Sequence, residues 1–227
     1  MQRLDWAEAK LGYQFVDAGL LELALTHRSA AKNNNERLEF LGDSFLNCAI
    51  AQRLYALRPN AAEGDLSRLR AYLVRGTTLA TLARSLKLDE QLIVGPGELR
   101  AGAARRETVL ANGLEALIGA IILDGGAAAG ERCIDRLFAA LLAELPAADT
   151  LKDPKTRLQE WLQARGRSLP DYVVESATGE PHKQVFTVVC SDPETGAQSR
   201  GSGSSRRKAE QIAAQNLLDQ LLESGVR

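Results

Sequence analysis

Only two histidines, His27 and His182, and three cysteines, Cys48, Cys133 and Cys190, occur in 227 residues. The cysteines are odd in number and far apart. This argues against a disulfide framework and leads us to expect a reduced, cytoplasmic protein. With no close cysteine pair and so few histidines, a zinc site is not expected. An excess of one charge is also lacking. The chain has 28 basic and 29 acidic residues, a net charge of −1, so any nucleic-acid binding must rest on local clustering. Long apolar runs are absent too. The opening Met1-Gln2-Arg3-Leu4-Asp5-Trp6-Ala7-Glu8 lacks the apolar core of a signal peptide, and no run approaches the ~20 residues needed to span a bilayer. No membrane association is expected. Gly95-Pro96-Gly97-Glu98 reads as a turn, too short for a nucleotide-binding loop and without its Lys-Ser/Thr ending.

What is present is a soluble composition, 45% hydrophobic and 25% charged, in a length that suits one large domain or two ordinary ones. The most informative stretch is Asn34-Asn35-Glu36-Arg37-Leu38-Glu39-Phe40-Leu41-Gly42-Asp43-Ser44-Phe45. On a helix turning ~100° per residue, Glu36, Glu39 and Asp43 fall within about 60° of one another. They form an acidic stripe, with Leu38, Leu41, Phe45 and Cys48 expected on the opposite, buried side. Clustered carboxylates raise the cost of ionising each one, and a bound divalent cation is the usual compensation. A solvated polar face is the simpler alternative, but Glu39 and Asp43 have no lysine partner at helical spacing. Phe40 projects roughly 40° from Glu36, beside the acids. It is expected to pack against another helix or a second copy of the chain.

Residues 1–145 read as successive helices. Leu20, Leu21, Leu23, Ala24 and Leu25 form an early apolar patch followed by Thr26-His27-Arg28-Ser29, where His27 reads as a capping or packing residue. The acidic helix should end near Leu57, before Arg58-Pro59-Asn60. Gly64 then reads as a backbone break, Asp65 as a helix cap, and Leu69, Tyr72, Leu73 and Leu79 as one amphipathic helix. Glu63 reads equally as a helix-start carboxylate or a further site acid. A later helix carries Leu110, Leu114, Leu117 and Ile121 at helical spacing, with Asn112 and Glu115 on another side.

Residues 146–154 read as a linker, and beyond it the periodicity changes. A helix over Thr156–Arg165, with Leu158, Trp161 and Leu162 on its apolar face, precedes alternating runs at Asp171–Ser176, Gln184–Cys190 and Ala197–Ser202. A last helix, Ser205–Leu222, is expected to turn Ala209, Ile212, Ala213, Leu217 and Leu221 inward. Arg206, Arg207 and Lys208 open it, where backbone N–H groups and the helix dipole also attract phosphate. Ser204 and Ser205 add capping hydroxyls. Residues 154–227 hold 10 basic and 9 acidic residues, so attraction for an anion must come from placement.

The segment Asn35-Glu36-Arg37-Leu38-Glu39-Phe40-Leu41-Gly42-Asp43-Ser44 resembles the signature of the ribonuclease III family, the double-stranded RNA endonucleases. Ala111-Asn112-Gly113-Leu114-Glu115-Ala116-Leu117-Ile118-Gly119-Ala120 resembles that family's second acidic helix, and residues 155–227 resemble a double-stranded RNA-binding domain. The resemblance covers roughly residues 5–222. It implies an all-α endonuclease domain (1–145) followed by a small α+β domain of order α-β-β-β-α. It implies Mg²⁺, with Mn²⁺ as a substitute, held by Glu39 and Glu115, with Asp43 as catalytic acid with a metal- or water-positioning role. Glu36 and Glu63 are implied as accessory acids, for substrate positioning or a second metal. Asn112 stands where the family commonly has aspartate, so it is expected to be a weakened ligand. Gln159, Glu160 and His182 are implied as minor-groove contacts, in domains that generally span about 16 bp of A-form duplex. The implied partners are double-stranded RNA (ribosomal RNA precursors and structured messages) and a second copy of the chain, with Phe40 at the interface. The alternative is a duplex-binding protein whose cutting is impaired by Asn112.

Overall fold

The computed structural model describes residues 3–100, 102–180 and 182–224. The chain divides into two compact units, residues 1–148 and 149–227. Within the first are helices α1 (Arg3–Leu11), α2 (Ala18–Leu25), α3 (Glu36–Leu57), α4 (Glu63–Val74), α5 (Gly76–Ser85), α6 (Pro96–Arg100), α7 (Glu107–Gly125) and α8 (Ala127–Ala143). Helix α7 is the axis of this unit. Ten of its residues, including Leu110, Leu114, Leu117 and Ile121, are buried, and α2, α3, α5 and α8 pack around it. Among the described residues it is the one helix long and apolar enough to cross a membrane. The strict run length applied to the sequence did not register it, because Glu107, Glu115 and Asp124 interrupt the run. It is apolar on nearly every side because other helices cover it on nearly every side.

The closest crossing is α3 against α7. A Cβ built on Gly42 would lie 1.8 Å from the Glu115 carbonyl oxygen, and one on Gly119 would lie 2.2 Å from that of Leu38. Two glycines thus let the two backbones touch. This crossing rotates α3 away from the orientation expected from its large apolar residues. Its buried face is Leu38, Gly42, Leu46, Ala49, Ile50 and Leu54, while Leu41 and Phe45 are half-buried and Cys48 is exposed.

Four other local expectations are corrected. Gly64 lies inside α4 rather than breaking it, and Asp65 does not cap but pairs with Arg68 at 2.5 Å. Leu69 and Leu73 belong to α4 whereas Leu79 belongs to α5, because the chain becomes extended at Arg75. The Thr78 hydroxyl donates to the Tyr72 carbonyl, one of those the helix end leaves without a partner. Gly95-Pro96-Gly97-Glu98 starts a short helix, α6, with Pro96 at its first position, where a missing N–H costs nothing.

The second unit has the expected order: α9 (Pro154–Gln163), β1 (Asp171–Thr178), β2 (Val185–Ser191), β3 (Gln198–Gly203) and α10 (Arg206–Glu223). Pro154 opens α9 instead of closing a linker, and Asp153 caps it by accepting from Lys155 N and Thr156 N. The sheet is antiparallel in the order β1-β2-β3, with Val188 paired to Val174 and to Gly201. One face carries Val188 and Cys190 into a core with Leu158, Leu162, Ala213, Leu217 and Leu221. Helix α10 lies close on β3, since a Cβ at Gly201 would come within 2.3 Å of Ala213 N. That contact turns Ala213, Ala214, Leu217 and Leu218 inward and leaves Ile212 exposed, contrary to expectation.

Candidate active site and nucleic-acid interface

Helix α3 begins directly after a pinned loop. Asn35 is buried, its Nδ2 donates to the Ala24 carbonyl (3.1 Å), and its N–H donates to Thr26 O (2.9 Å). Asn34 Oδ1 accepts from Glu36 N (3.0 Å). These bonds fix the start of the acidic helix against the end of α2. The glycine crossing then sets the height of α3 against α7. The outcome is a cavity of about 760 Å³ lined by Glu36, Glu39, Phe40 and Asp43 from α3 and by Thr108, Val109, Asn112 and Glu115 from α7. Acids that are distant in sequence therefore face one space.

The electrostatics fit crowded carboxylates. Burial pushes the Glu115 carboxyl up to about 7, and the Asp43 and Glu39 carboxylates push it the same way. Glu39 is also raised by burial and by Glu36 and Asp43, against the opposing effects of a hydrogen bond with Asn112 and the charge of Arg28. Asp43 accepts from Asn47 Nδ2 at 2.8 Å. The available donors are all hard oxygens, from Glu39, Asp43, Asn112 and Glu115, which suits a hard divalent cation. Among the described residues, no three His, Cys, Asp or Glu side chains are gathered into a closed ligand cluster.

Glu63 does not join them. Its carboxylate accepts from Ser67 Oγ (2.7 Å) and lines a separate cavity of about 160 Å³ with Tyr55, Leu66 and Arg70. It starts α4, which packs against the acidic helix, and Leu69 and Leu73 are the buried residues of α4. Conversely, the main cavity includes residues to which the sequence assigned no chemistry: His27, read as a capping or packing residue, and Arg28, Ser29, Glu98 and Arg106. His27 Nδ1 lies 2.8 Å from Ser29 Oγ, and that hydroxyl accepts from Gly95 N at 3.0 Å. The Thr26-His27-Arg28-Ser29 segment is thereby tied to the loop at Ile93 and Gly95, where Thr26 and Ile93 form a parallel bridge.

In the second unit, Gln159, Glu160, His182, Ser204, Ser205, Arg206, Arg207 and Lys208 are all exposed. Ser205 caps α10 by accepting from Lys208 N (3.3 Å). Some of the expected contact residues already have partners. Glu160 binds Lys152 at 2.5 Å, and His182 lies 3.4 Å from Glu180. Arg206 Nε donates to Glu210 at 2.8 Å, and Lys155 Nζ donates to the other oxygen of the same carboxylate at 2.6 Å. Glu210, only 9% exposed, clasps the first turns of α9 and α10 together. Its carboxyl is held below the usual range, by Lys155 first and also by Arg206, against the effect of burial. Lys155 also lies over the Tyr172 ring at 4.3 Å. Arg207 is close enough to help hold Asp153 ionised. The clasp and Lys155 were not foreseen, because an acid in the first turns of a basic helix resembles any solvated residue.

Comparison with known proteins agrees with both halves. Residues 17–141 match the family described as ribonuclease-III-like, and residues 154–221 match the double-stranded RNA binding motif. A protein of Nitrosococcus oceani named ribonuclease 3 is 55% identical over 94% of this chain and 92% of its own length. One of the same name from Haemophilus influenzae is 51% identical over 97% of this chain and 99% of its own. Among solved structures, the nuclease domain of ribonuclease III from Campylobacter jejuni superimposes with a TM-score of 0.61 and 38% identity. It covers 64% of this chain and 100% of that domain. A second structure of that domain, described for flexibility in a region involved in dimer formation, gives 0.59 at 40% identity, over 60% of this chain and 96% of that one.

Proposed function

Because the chain belongs to the ribonuclease III family, we propose that it hydrolyses double-stranded RNA in a metal-dependent reaction, holding the duplex with its second unit and cutting it with its first. The observation that carries this reading is the meeting of Glu39 and Asp43 from α3 with Asn112 and Glu115 from α7 in one cavity.

Mg²⁺, or Mn²⁺ in its place, would be held by Glu39 and Glu115 with help from Asp43 and Asn112, and would supply charge compensation for the phosphate and an activated water. The side chains do the rest. Glu115, raised to about 7 by burial and by its acidic neighbours, must release its proton to act as a ligand. Asp43, which accepts from Asn47, would orient water and return a proton to the departing oxygen. Protonation of that oxygen leaves a 3′-hydroxyl on one product and a 5′-phosphate on the other. Glu36 stands at the cavity wall as an accessory acid. Asn112 offers an amide oxygen without charge.

Among the described residues this set of acids meets in one cavity per chain, and a duplex has two strands. A two-fold pair of chains would put one site on each strand. Phe40, 75% exposed beside the acids, is the natural anchor for that pairing. Duplex contact falls to Gln159, Glu160, His182 and the start of α10, and the cellular substrates of this reading are ribosomal RNA precursors and structured messages in the cytoplasm.

A labelled duplex incubated with Mg²⁺ should be cut to 5′-phosphate products, and chelation should leave it bound but intact. Asn112 favours a second reading, duplex binding with poor cutting, and binding without cutting at saturating Mg²⁺ and Mn²⁺ would select it.

A further inference from the structure

The main cavity holds five acids, Glu36, Glu39, Asp43, Glu98 and Glu115, but also two arginines, Arg28 and Arg106. They come from separate stretches. Arg28 follows the end of α2, and Arg106 is the residue before α7. Each is loosely tied to a carboxylate. Arg28 lies 3.5 Å from Glu36, and Arg106 lies 3.3 Å from Glu98. All four side chains are at least 43% exposed. Single contacts of this kind between exposed groups hold weakly.

Resting on the nuclease reading above, we infer that Arg28 and Arg106 grip the phosphates of the strand being cut, exchanging their present carboxylate partners for RNA. The argument is one of charge and shape. A polyanion entering a cavity with five acids is repelled until something on the wall attracts it. The two guanidiniums are the cationic side chains on that wall. A guanidinium forms paired hydrogen bonds to phosphate, which are stronger than a single contact to an exposed carboxylate. Glu36 and Glu98 are only the partners the arginines have in the absence of RNA, and Glu98 takes no part in holding the strand. Arg28 and Arg106 act on the phosphate and not on the metal, so removing either should harm phosphate placement without changing the demand for metal.

The test is cleavage of a labelled duplex by the full-length wild type and by Arg106→Gln, Arg106→Lys, Arg28→Gln and Glu98→Gln, at several salt and Mg²⁺ concentrations. Each Arg→Gln change should lower kcat/KM roughly 10- to 100-fold, the range for losing a hydrogen bond to a charged group. It should also reduce the slope of log kcat/KM against log salt by about 0.9, one phosphate contact. The Mg²⁺ midpoint should not move. Arg106→Lys should recover part of the loss, and Glu98→Gln should cause none, because it only frees Arg106. Unchanged kcat/KM and salt slope in both Arg→Gln variants would overturn the inference. So would a Glu98→Gln defect equal to that of Arg106→Gln, which would make the ion pair itself the working unit. A wild type that binds duplex but never cuts would overturn the nuclease reading and this one together, whereas a cutting wild type with unimpaired variants overturns this one alone.

Discussion

Replacing Gly42 by alanine tests how the site is assembled. The added Cβ would stand 1.8 Å from the Glu115 carbonyl oxygen, 2.6 Å from its carbon and 2.9 Å from Gly119 N. All three are backbone atoms of α7, so no side chain can swing aside. Restoring a carbon–oxygen separation near 3.3 Å requires α3 to withdraw by about 1.5 Å. Overpacking of this kind costs up to about 3 kcal/mol and sometimes more, while alanine in place of glycine returns about 1 kcal/mol of helix propensity. We therefore expect a net loss of about 2 kcal/mol and a fall in Tm of roughly 4–8 °C for a unit of this size. The same withdrawal carries Glu39 and Asp43 away from Asn112 and Glu115. A misplacement of about 1 Å can cost on the order of 100-fold in rate. Thermal unfolding by circular dichroism and single-turnover cleavage at saturating enzyme would measure both effects. Gly64→Ala in α4 is the matched control, since its Cβ would meet only the mobile end of Arg68, at 3.3 Å. It should be neutral or stabilising. A Gly42→Ala protein that melts and cuts like the wild type would refute the proposed dependence of the site on this crossing.

Glu115→Gln should abolish cutting yet leave duplex affinity in gel shift largely intact, because it alters α7 and not the α10 start. Asn112→Asp should raise cleavage most at low Mg²⁺, with curves converging at saturation, since ligand charge helps set affinity for hard cations; superimposed Mg²⁺ titrations would remove residue 112 from the metal site. Phe40→Asp should shift the molar mass in light scattering toward a monomer, and a wild type that is already monomeric at micromolar concentration would dismiss the interface. Asp192 has no exposed surface and accepts from Arg167 Nη1 (3.3 Å) and Thr195 Oγ1 (2.7 Å). Burial works to raise its carboxyl, but these bonds and the Glu194 N–H outweigh that and hold it below the usual range. Its contribution is therefore complete above about pH 4 and is lost as pH falls through the lowered folded value. Asp192→Asn should cost about 3 kcal/mol at neutral pH and flatten the acid limb of Tm against pH; an unchanged acid limb would show that other groups set it.

Much of the architecture was legible because its signals are periodic. The acids of α3, the apolar spacing of α7 and the change to alternating runs after residue 170 each follow from side-chain direction along one element. The features that escaped depend on a second element. Gly42 and Gly119 look like poor helix formers until the opposing backbone is present to give a reason for them. Glu63 shares the acidic character of Glu39, yet its helix presents it to another cavity. Cys48 and Ile212 were assigned to buried faces from hydrophobicity alone, and both helices turned instead about their smallest residues. Arg28 and Arg106 are 78 positions apart, and no local pattern relates them. Glu210 reads as a surface acid and is a buried one, because its two cations come from two helices.

The Glu210 clasp has a consequence for behaviour under changing ionic strength. Glu210 is nearly buried and Lys155 is largely withdrawn from solvent, and such pairs are screened by salt far less than exposed charges. Contacts between the start of α10 and a duplex, in contrast, trade against condensed counterions and weaken steeply as salt rises. Adding salt should thus strip nucleic acid from the second unit well before it loosens the unit itself. The protein would leave its duplex intact in form and ready to engage again once the medium is diluted, so that ionic strength acts on occupancy and not on folding.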